Sequence, residues 1–525
     1  MRDSLKNNSY DEMPYESYPY PLASPLNLAT LATFFGMRPP PIEDARVLEL
    51  GCAAGGNLIP HAIHYPQGRY LGIDLSAKQI ARGQSDINAL GITNIELRHC
   101  SIIDVDKSFG EFDYIICHGV FSWVPENIQE KILEISNKNL ARNGVVYISY
   151  NTLPGWNISK TIRDMMLYHT KGFSNSQDKV RQARELLSFV QDSLAKTDTP
   201  YSKILLQEAK ILAERSDHYL RHDHLEENNY QFYFSEFLDK ARKHNLQYLS
   251  DVSLSTMYLD SMQASVEKNL NTENDIVGTA QYLDFINNRK FRSTLLCHRD
   301  VSLNRNLNTD QIRQFALSLD IVPEKAFEYV DLISEKAIDF YFLQSNNQSV
   351  SISSPYLKAV FYVLSAHRGY PIKFDRIVAL ANKIFPTDEK TTIEAELLDN
   401  AMSLIMKGFM EINVYERDKN KIHLTKPVVD QLIFHQVHNT NKDWITSPNH
   451  QAIFINSFRK SALKYMNGQN TKEQILENLL RDAVAGNLDY IKNNEKIEDI
   501  EQIKQELALK LDKTIESLYS KGVFK

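Results

Sequence analysis

The chain has 525 residues, 43% of them apolar and 24% charged, with 59 Lys and Arg against 66 Asp and Glu for a net charge of −7. That length calls for about two to four domains, and the mild acidity speaks against a protein that coats nucleic acid. No apolar run reaches the roughly 20 residues of a bilayer span, the opening MRDSLKNNSYDEMPYESYPYPL lacks the apolar stretch of a secretory signal, and Cys52, Cys100, Cys117 and Cys297 form neither a disulfide framework nor a CxxC zinc pair. The expectation is a soluble protein of the reducing cytoplasm, without membrane insertion.

From residue 46 to 150, strand and helix signals alternate. The predicted strands are RVLEL (46–50), GRYLGID (68–74), NIELRHC (94–100), FDYIIC (112–117) and GVVYISY (144–150), with helices over 76–90 and 126–140. Short apolar strands separated by helices mark an α/β domain whose parallel sheet is covered on both faces. The alternation then stops. GWNISKTIRDMMLYHT (155–170) reads as a helix, and two striped helices follow: Val180, Ala183, Leu187, Val190 and Leu194 on one, Ile204, Leu205, Ala209 and Leu212 on the other. Residues 231–254 return to helix and strand, and RKFRSTLLCHRD (289–300) supplies a last strand. Residues 171–230 are therefore expected to be a helical insert within one domain, 1–300, because five strands alone would leave an edge unpaired. Their stripes call for a partner surface, so the insert reads as a lid or as a self-association hairpin giving a homodimer.

Residues 301–350 read as a connecting or regulatory segment, ending in the Ser/Asn-rich QSNNQSVSISSP (344–355). Three helical patterns within 356–407, then two short strands around the Asp-Lys-Asn turn of GFMEINVYERDKNKIHL (408–424), predict a winged-helix-like module over 351–427. The remainder, 428–525, reads as mostly helical.

The first strand runs into the glycine-rich turn VLELGCAAGGN (47–57). A dinucleotide turn wants G-x-G-x-x-G, whose second glycine lets a pyrophosphate touch the main chain; Ala53 stands at that position. Asp74 ends the next strand, where ribose hydroxyls would lie. On these residues the turn is either a plain strand-to-helix connection or a ligand site, and Asp74 favours the ligand.

ELGCAAGGN resembles the nucleoside-binding turn of class I S-adenosylmethionine-dependent methyltransferases. GIDLS (72–76), SIIDV (101–105), FDYIICHGVFSWVP (112–125) and YISYNTLPGW (147–156) extend the resemblance. YDEMPYESYPYPLASP (10–25) and FRSTLLCHR (291–299) narrow it to bacterial methyltransferases carrying a methyltransferase-regulatory region, among them the rickettsial-type protein lysine methyltransferases of outer-membrane proteins. The resemblance is specific over about residues 8–300 and architectural beyond. It implies a Rossmann-like seven-stranded sheet with an antiparallel last strand, and S-adenosylmethionine as cofactor. A nucleoside without phosphate accounts for Ala53. By this resemblance Gly51, Cys52 and Ala53 line the methionine part, and Glu49 holds the turn or the methionine amine. Asp74, with Leu75 beside it, takes the ribose. Ser101 and Ile102 flank the adenine, and Asp104 either joins them or caps the turn.

For the chemistry, His118 follows the fourth strand at the carboxyl edge where open α/β sheets place their sites; it is a candidate both for catalysis and for cofactor contact. Trp123 suits a cation–π wall over a sulfonium, and Tyr150 and Asn151 end the fifth strand at the same edge. Tyr10, Tyr15, Tyr18 and Tyr20 form either a lid or an aromatic arm on the sheet. His218, His222 and His224 have metal-like spacing, but N-methyl transfer needs no metal, so a helix surface near the site mouth is expected there.

The expected activity is lysine N-methylation of a protein substrate, an outer-membrane or surface protein presenting lysines on an extended segment. A lysine must lose its proton first, helped by desolvation and the adjacent sulfonium; alignment and exclusion of water supply the rest. A small-molecule methyltransferase is the first alternative, against which stand some 225 residues of C-terminal modules. A non-catalytic cofactor-binding regulator of DNA is the second. Its recognition helix, 391–407, carries Glu394, Glu396 and Asp399 against Lys407 alone, the wrong charge for phosphates, so no DNA partner is expected. Removing 301–525 is expected to weaken protein-substrate binding while leaving cofactor binding nearly intact, provided the remainder folds.

Overall fold

The computed structural model describes residues 16–257, 276–306, 308–343, 348–385, 390–417, 422, 424–488, 491–492, 495–496 and 499–525. The first eight strands are β1 (Arg46–Leu50), β2 (Arg69–Asp74), β3 (Ile95–His99), β4 (Phe112–Cys117), β5 (Leu140–Thr152), β6 (Gln231–Phe232), β7 (Leu246–Asp251) and β8 (Phe291–His298). They form one sheet in the order β3-β2-β1-β4-β5-β8-β7, with two-residue β6 added beside the end of β5. Pairing is parallel from β3 to β5; β8 runs antiparallel to both β5 and β7. This is the class I methyltransferase sheet, with its reversed strand at β8.

Alternation along each strand splits the apolar residues between two faces. Val47, Tyr114, Ile116, Val145 and Tyr147 belong to one core, and Leu48, Ile115, Cys117, Val146, Ile148 and Tyr150 to the other. The first core does not stop at the sheet. It takes in helix Pro25–Phe34 and continues through Phe315, Phe340, Phe361 and Ile377. The α/β domain and the middle of the chain therefore share one interior.

The insert differs from expectation. Helix Ser176–Leu194 packs on helix Pro200–Ala213 and on Trp156–Thr170, and their stripes close a small core of their own around Met166, Ala183, Leu187 and Ala209. Leu187 is only 1% exposed, so the stripes need no outside partner. Ile204, read as part of the stripe, is instead 47% exposed, and Phe189 is 66% exposed on the outer side of its helix.

Residues 301–350 are more than a connection. Strand Ala316–Leu319 pairs with Ile372–Lys373 and with Met410–Asn413, both antiparallel. The described partner of Met410–Asn413 thus comes from upstream, while residues 418–421 and 423 of the expected hairpin over 408–424 lie outside the described residues. Leu424 lies in a turn, and the Asp-Lys-Asn turn falls outside the described residues. The three helices expected here are present at Pro355–Ala366, Phe374–Ile384 and Lys390–Met406. Beyond them, helices Gln431–Asn439, Ser457–Lys464, Lys472–Val484 and Ile500–Ser520 surround a ribbon of Trp444–Thr446 and Ala452–Phe454, over a separate core. Among the described residues no helix is long and apolar enough to cross a membrane.

Candidate active site

A cavity of about 710 Å³ opens at the carboxyl ends of β1, β2, β4 and β5. The residues named from the sequence converge on it: Glu49, Gly51, Cys52, Ala53, Asp74, Leu75, Ser101, Ile102, His118, Trp123 and Asn151 all line its wall. Asp104 is exposed at the end of its turn and does not.

The glycine turn is shaped as much by its own chain as for a ligand. Gly51 has φ +77° and Gly55 φ +75°, and Ala53 also adopts positive φ, at 47°. The strain at Ala53 is offset by Asp74, whose Oδ2 accepts the Ala53 N–H at 2.8 Å while Oδ1 accepts that of Ser76 at 2.8 Å. A Cβ on Gly56 would lie 1.9 Å from the Ser17 carbonyl oxygen, and its N–H donates to Ser17 Oγ at 2.8 Å. That glycine serves the N-terminal segment, which folds over the turn. Tyr20 follows, with its N–H on Asn57 Oδ1 at 3.0 Å and its ring 3.8 Å from that of His118. Tyr18 and Tyr20 thus roof the cavity; Tyr10 and Tyr15 lie outside the described residues.

Glu49 is buried, and burial with the nearby Asp74 pushes its carboxyl up to about 8. Asn57 Nδ2 donates to Oε1 at 3.0 Å, while the buried Oε2 has no partner among the described residues. An orphaned acid in the cavity wall fits a cationic amine, and the doubly anchored Asp74 beside it fits hydroxyl donors. These residues suit the methionine and ribose parts of S-adenosylmethionine.

His118 is held by β5. Its Nδ1 lies 2.7 Å from Tyr147 Oη, which is 3.0 Å from Ser293 Oγ, and Ser149 Oγ accepts the Gly119 N–H at 2.8 Å. Burial lowers its pKa to about 4, so the ring is neutral at physiological pH. The candidate catalytic Tyr150 does not reach the cavity. It is 1% exposed, stacked on Phe237 at 4.0 Å, with its hydroxyl 3.0 Å from Thr294 Oγ1. Side chains alternate along β5, so Tyr147, Ser149 and Asn151 face the site and Tyr150 faces the opposite core.

Two groups of lining residues escaped the sequence reading. Val124, Pro125 and Ile128 make an apolar wall next to Trp123. Past His118 the cavity continues beneath the insert, lined by Trp156, Glu208, Tyr219, Asp223 and Lys290. Lys290 Nζ bonds both Glu208 oxygens at 2.8 Å. His222 and His224, expected on a helix surface, are buried, and His224 stacks on Trp156 with ring centroids 5.7 Å apart. Among the described residues no three His, Cys, Asp or Glu side chains gather as a metal site.

The C-terminal module touches residues of the cavity wall. His450 Nε2 lies 2.7 Å from Asn57 Oδ1, its ring stacks on that of His61 at 4.1 Å, and Tyr18 packs on Trp444 at 4.8 Å.

Family models agree with this layout. One described as "Methyltransferase domain" matches residues 42–214, "Predicted methyltransferase regulatory domain" matches 216–298, and "PKMT, C-terminal winged helix domain" matches 425–523. That last segment lies downstream of the stretch whose sequence pattern suggested a winged helix. Protein RP789 of Rickettsia prowazekii (strain Madrid E) is 48% identical, over 98% of this chain and 94% of its own. PKMT2 from Rickettsia typhi, solved in complex with AdoHcy, is 35% identical with a TM-score of 0.91, covering 97% of this chain and 100% of its own. A second structure of PKMT2 from Rickettsia typhi gives a TM-score of 0.90 at 34% identity. The chain belongs to the PKMT family of S-adenosylmethionine-dependent methyltransferases.

Proposed function

We propose that this enzyme methylates lysine side chains of protein substrates, on extended segments of proteins destined for the outer membrane or cell surface, and does so in the cytoplasm before their export. The observation that carries the reading is the cavity's extension past the cofactor residues to Trp156, Tyr219 and Asp223, aromatic and acidic groups that can receive an alkylammonium beside the paired Glu208 and Lys290 and the Arg215 cation over Tyr219. Four free cysteines suit a reducing compartment. The net charge of −7 favours encounter with lysine-bearing partners.

In this reading Glu49 holds the cofactor's amine, Asp74 its ribose hydroxyls, and Ser101 and Ile102 flank its base. When bound, the cofactor supplies a methyl on cationic sulfur, whose carbon accepts the amine's electron pair while the C–S pair stays on sulfur. Trp123 and the Val124–Ile128 wall keep water from that point. Neutral His118, fixed through Nδ1 by Tyr147, orients the amine. Incubation with methyl-labelled cofactor and fractionated cell-surface protein, followed by mapping of the labelled residue, tests the proposal. Label on lysine supports it; label on a small metabolite, on RNA or on another side chain would refute it.

A further inference from the structure

Among the described residues five carboxylates line the cavity: Glu16, Glu49, Asp74, Glu208 and Asp223. Four of them are engaged. Glu16 lies 3.7 Å from Arg82, Glu49 bonds Asn57, Asp74 clamps the glycine turn, and Glu208 takes Lys290 and Ser159. The Asp223 carboxylate accepts no hydrogen bond from any described residue, although it is half-buried.

Its main chain, by contrast, is tied to the catalytic edge of the sheet. Asn151, at the end of β5, donates through Nδ2 to Asn229 Oδ1 at 3.0 Å, and Asn229 Nδ2 donates to the Asp223 carbonyl at 3.1 Å. One residue on, the Tyr230 N–H donates to the Ser122 carbonyl at 2.7 Å, inside the turn that carries Trp123. An acid held in register with the site, left unbonded in its wall beside Tyr219, with Trp156 in the same lining, is placed for a cation brought by the substrate.

We propose that Asp223 receives the ammonium of the incoming lysine and takes its proton. This rests on the lysine reading above. The bond broken is N–H on the lysine and the bond formed is O–H on Asp223. The N–H pair stays on nitrogen as the nucleophilic lone pair, and Asp223 passes the proton to water through its exposed side. Burial, opposed by the Arg215 cation, raises the acid to about 7, where it accepts and releases a proton near neutrality. The other charged and titratable groups around it are Tyr219, over whose ring Arg215 lies at 5.4 Å, the neutral His224, and the Glu208–Lys290 pair across the cavity.

n-Butylammonium, a lysine side-chain mimic, tests this without turnover, titrated calorimetrically into the full-length protein saturated with AdoHcy. Affinity is expected to rise between pH 6 and 8 as the carboxylate forms, while neutral 1-pentanol shows no such rise. Asp223→Asn should bind butylammonium roughly ten-fold more weakly and without the pH dependence, and Asp223→Glu should restore it. Pentanol and AdoHcy affinities should be the same in all three proteins. A wild-type protein that binds the amine equally at pH 5.5 and 8.5, or an Asn variant that keeps both affinity and slope, would overturn the assignment. Label mapped to a side chain other than lysine would instead remove the proposed function, so the two failures are distinguishable.

Discussion

At one end of the cavity, around Glu49, Asp74 and Asn57, the wall is braced by hydrogen bonds among residues from the glycine turn, the N-terminal segment and the C-terminal module. At the other, under the insert, the wall is aromatic and charged: Lys290 is paired with Glu208 and Arg215 lies over Tyr219, while Asp223 is left without a hydrogen bond among the described residues. The first end faces a ligand of fixed shape, so a rigid, pre-bonded wall lowers the ordering cost of binding. In the proposed function the second end receives a flexible side chain of a larger molecule, and it keeps polar capacity open for it. The C-terminal half of the chain therefore contributes contacts to the rigid end.

Truncation is the severest way to test that difference. A chain ended at residue 300 loses Phe315, Phe340, Phe361 and Ile377, the partners that helix Pro25–Phe34 and one sheet face share. Buried aromatic and aliphatic side chains contribute about 1.5–3 kcal/mol each, so losing dozens exceeds the whole stability of a domain. The truncated chain is expected to show no cooperative thermal transition and no AdoHcy binding. A folded, AdoHcy-binding fragment would restore the independent-domain view.

The insert that walls the far end is a second point of attack. Leu187→Asp buries a charge in its small core and should cost about 3–5 kcal/mol locally, seen as early proteolysis between residues 171 and 230 with the AdoHcy site intact. Phe189→Asp, on the same helix but on its exposed side, should leave the melt unchanged. If the insert joins two copies, that variant alone lowers the sedimentation mass.

The rigid end was legible because it is local in sequence. Strand, glycine turn, Asp74 and Ser101 sit at successive strand ends, so period and turn chemistry place them together. The far end is assembled from positions 156, 208, 219, 223 and 290, which only the folded insert brings near. No local signal marks Asp223 off from an ordinary surface acid. Burial of the insert's stripes was equally illegible: amphipathic helices announce a buried face but not which neighbour covers it. On β5 the alternation was visible, yet which parity faces the site was not, and that is how Tyr150 was taken for Tyr147.

Asp74→Ala strips the cofactor end of an acid that also holds the Ala53 and Ser76 amides. Losing those bonds and the ribose contact should cost about 1.5–3 kcal/mol, roughly ten-fold or more in AdoHcy affinity. Equal affinity in calorimetry would remove Asp74 from the site.

A pH titration separates the two ends further. Glu49 has its pKa raised to about 8, so the free folded protein holds a proton there that the unfolded chain releases near pH 4–5. Its contribution to stability is therefore present at low pH and is lost as pH rises through 8. A ligand ammonium stabilises the ionised form, so AdoHcy binding should release up to about one proton below pH 8 and tighten as pH climbs toward it. Glu49→Gln is expected to abolish this slope. His450→Ala, which removes the bond to Asn57, should weaken AdoHcy a few-fold from a position 393 residues downstream of Asn57.

The smallest expected effect pits two neighbours on β5 against each other. Tyr147 and Tyr150 differ in parity, so their hydroxyls lie on opposite faces of the sheet, one on His118 and one on Thr294. Removing the Tyr150 hydroxyl leaves Thr294 one hydrogen bond short, about 1 kcal/mol, and removing the Tyr147 hydroxyl leaves both His118 and Ser293 short. For Tyr150→Phe that loss should appear wholly as stability, a melting temperature lowered by a few degrees with methyl-transfer kinetics unchanged. For Tyr147→Phe the loss also frees the His118 ring to rotate, so kcat should fall several-fold beside a similar drop in melting temperature, while AdoHcy affinity changes little. Single-turnover rates and melting curves of the two variants, measured side by side, decide the matter. A slowed Tyr150→Phe with an unaffected Tyr147→Phe would return Tyr150 to the chemistry and remove His118 from it.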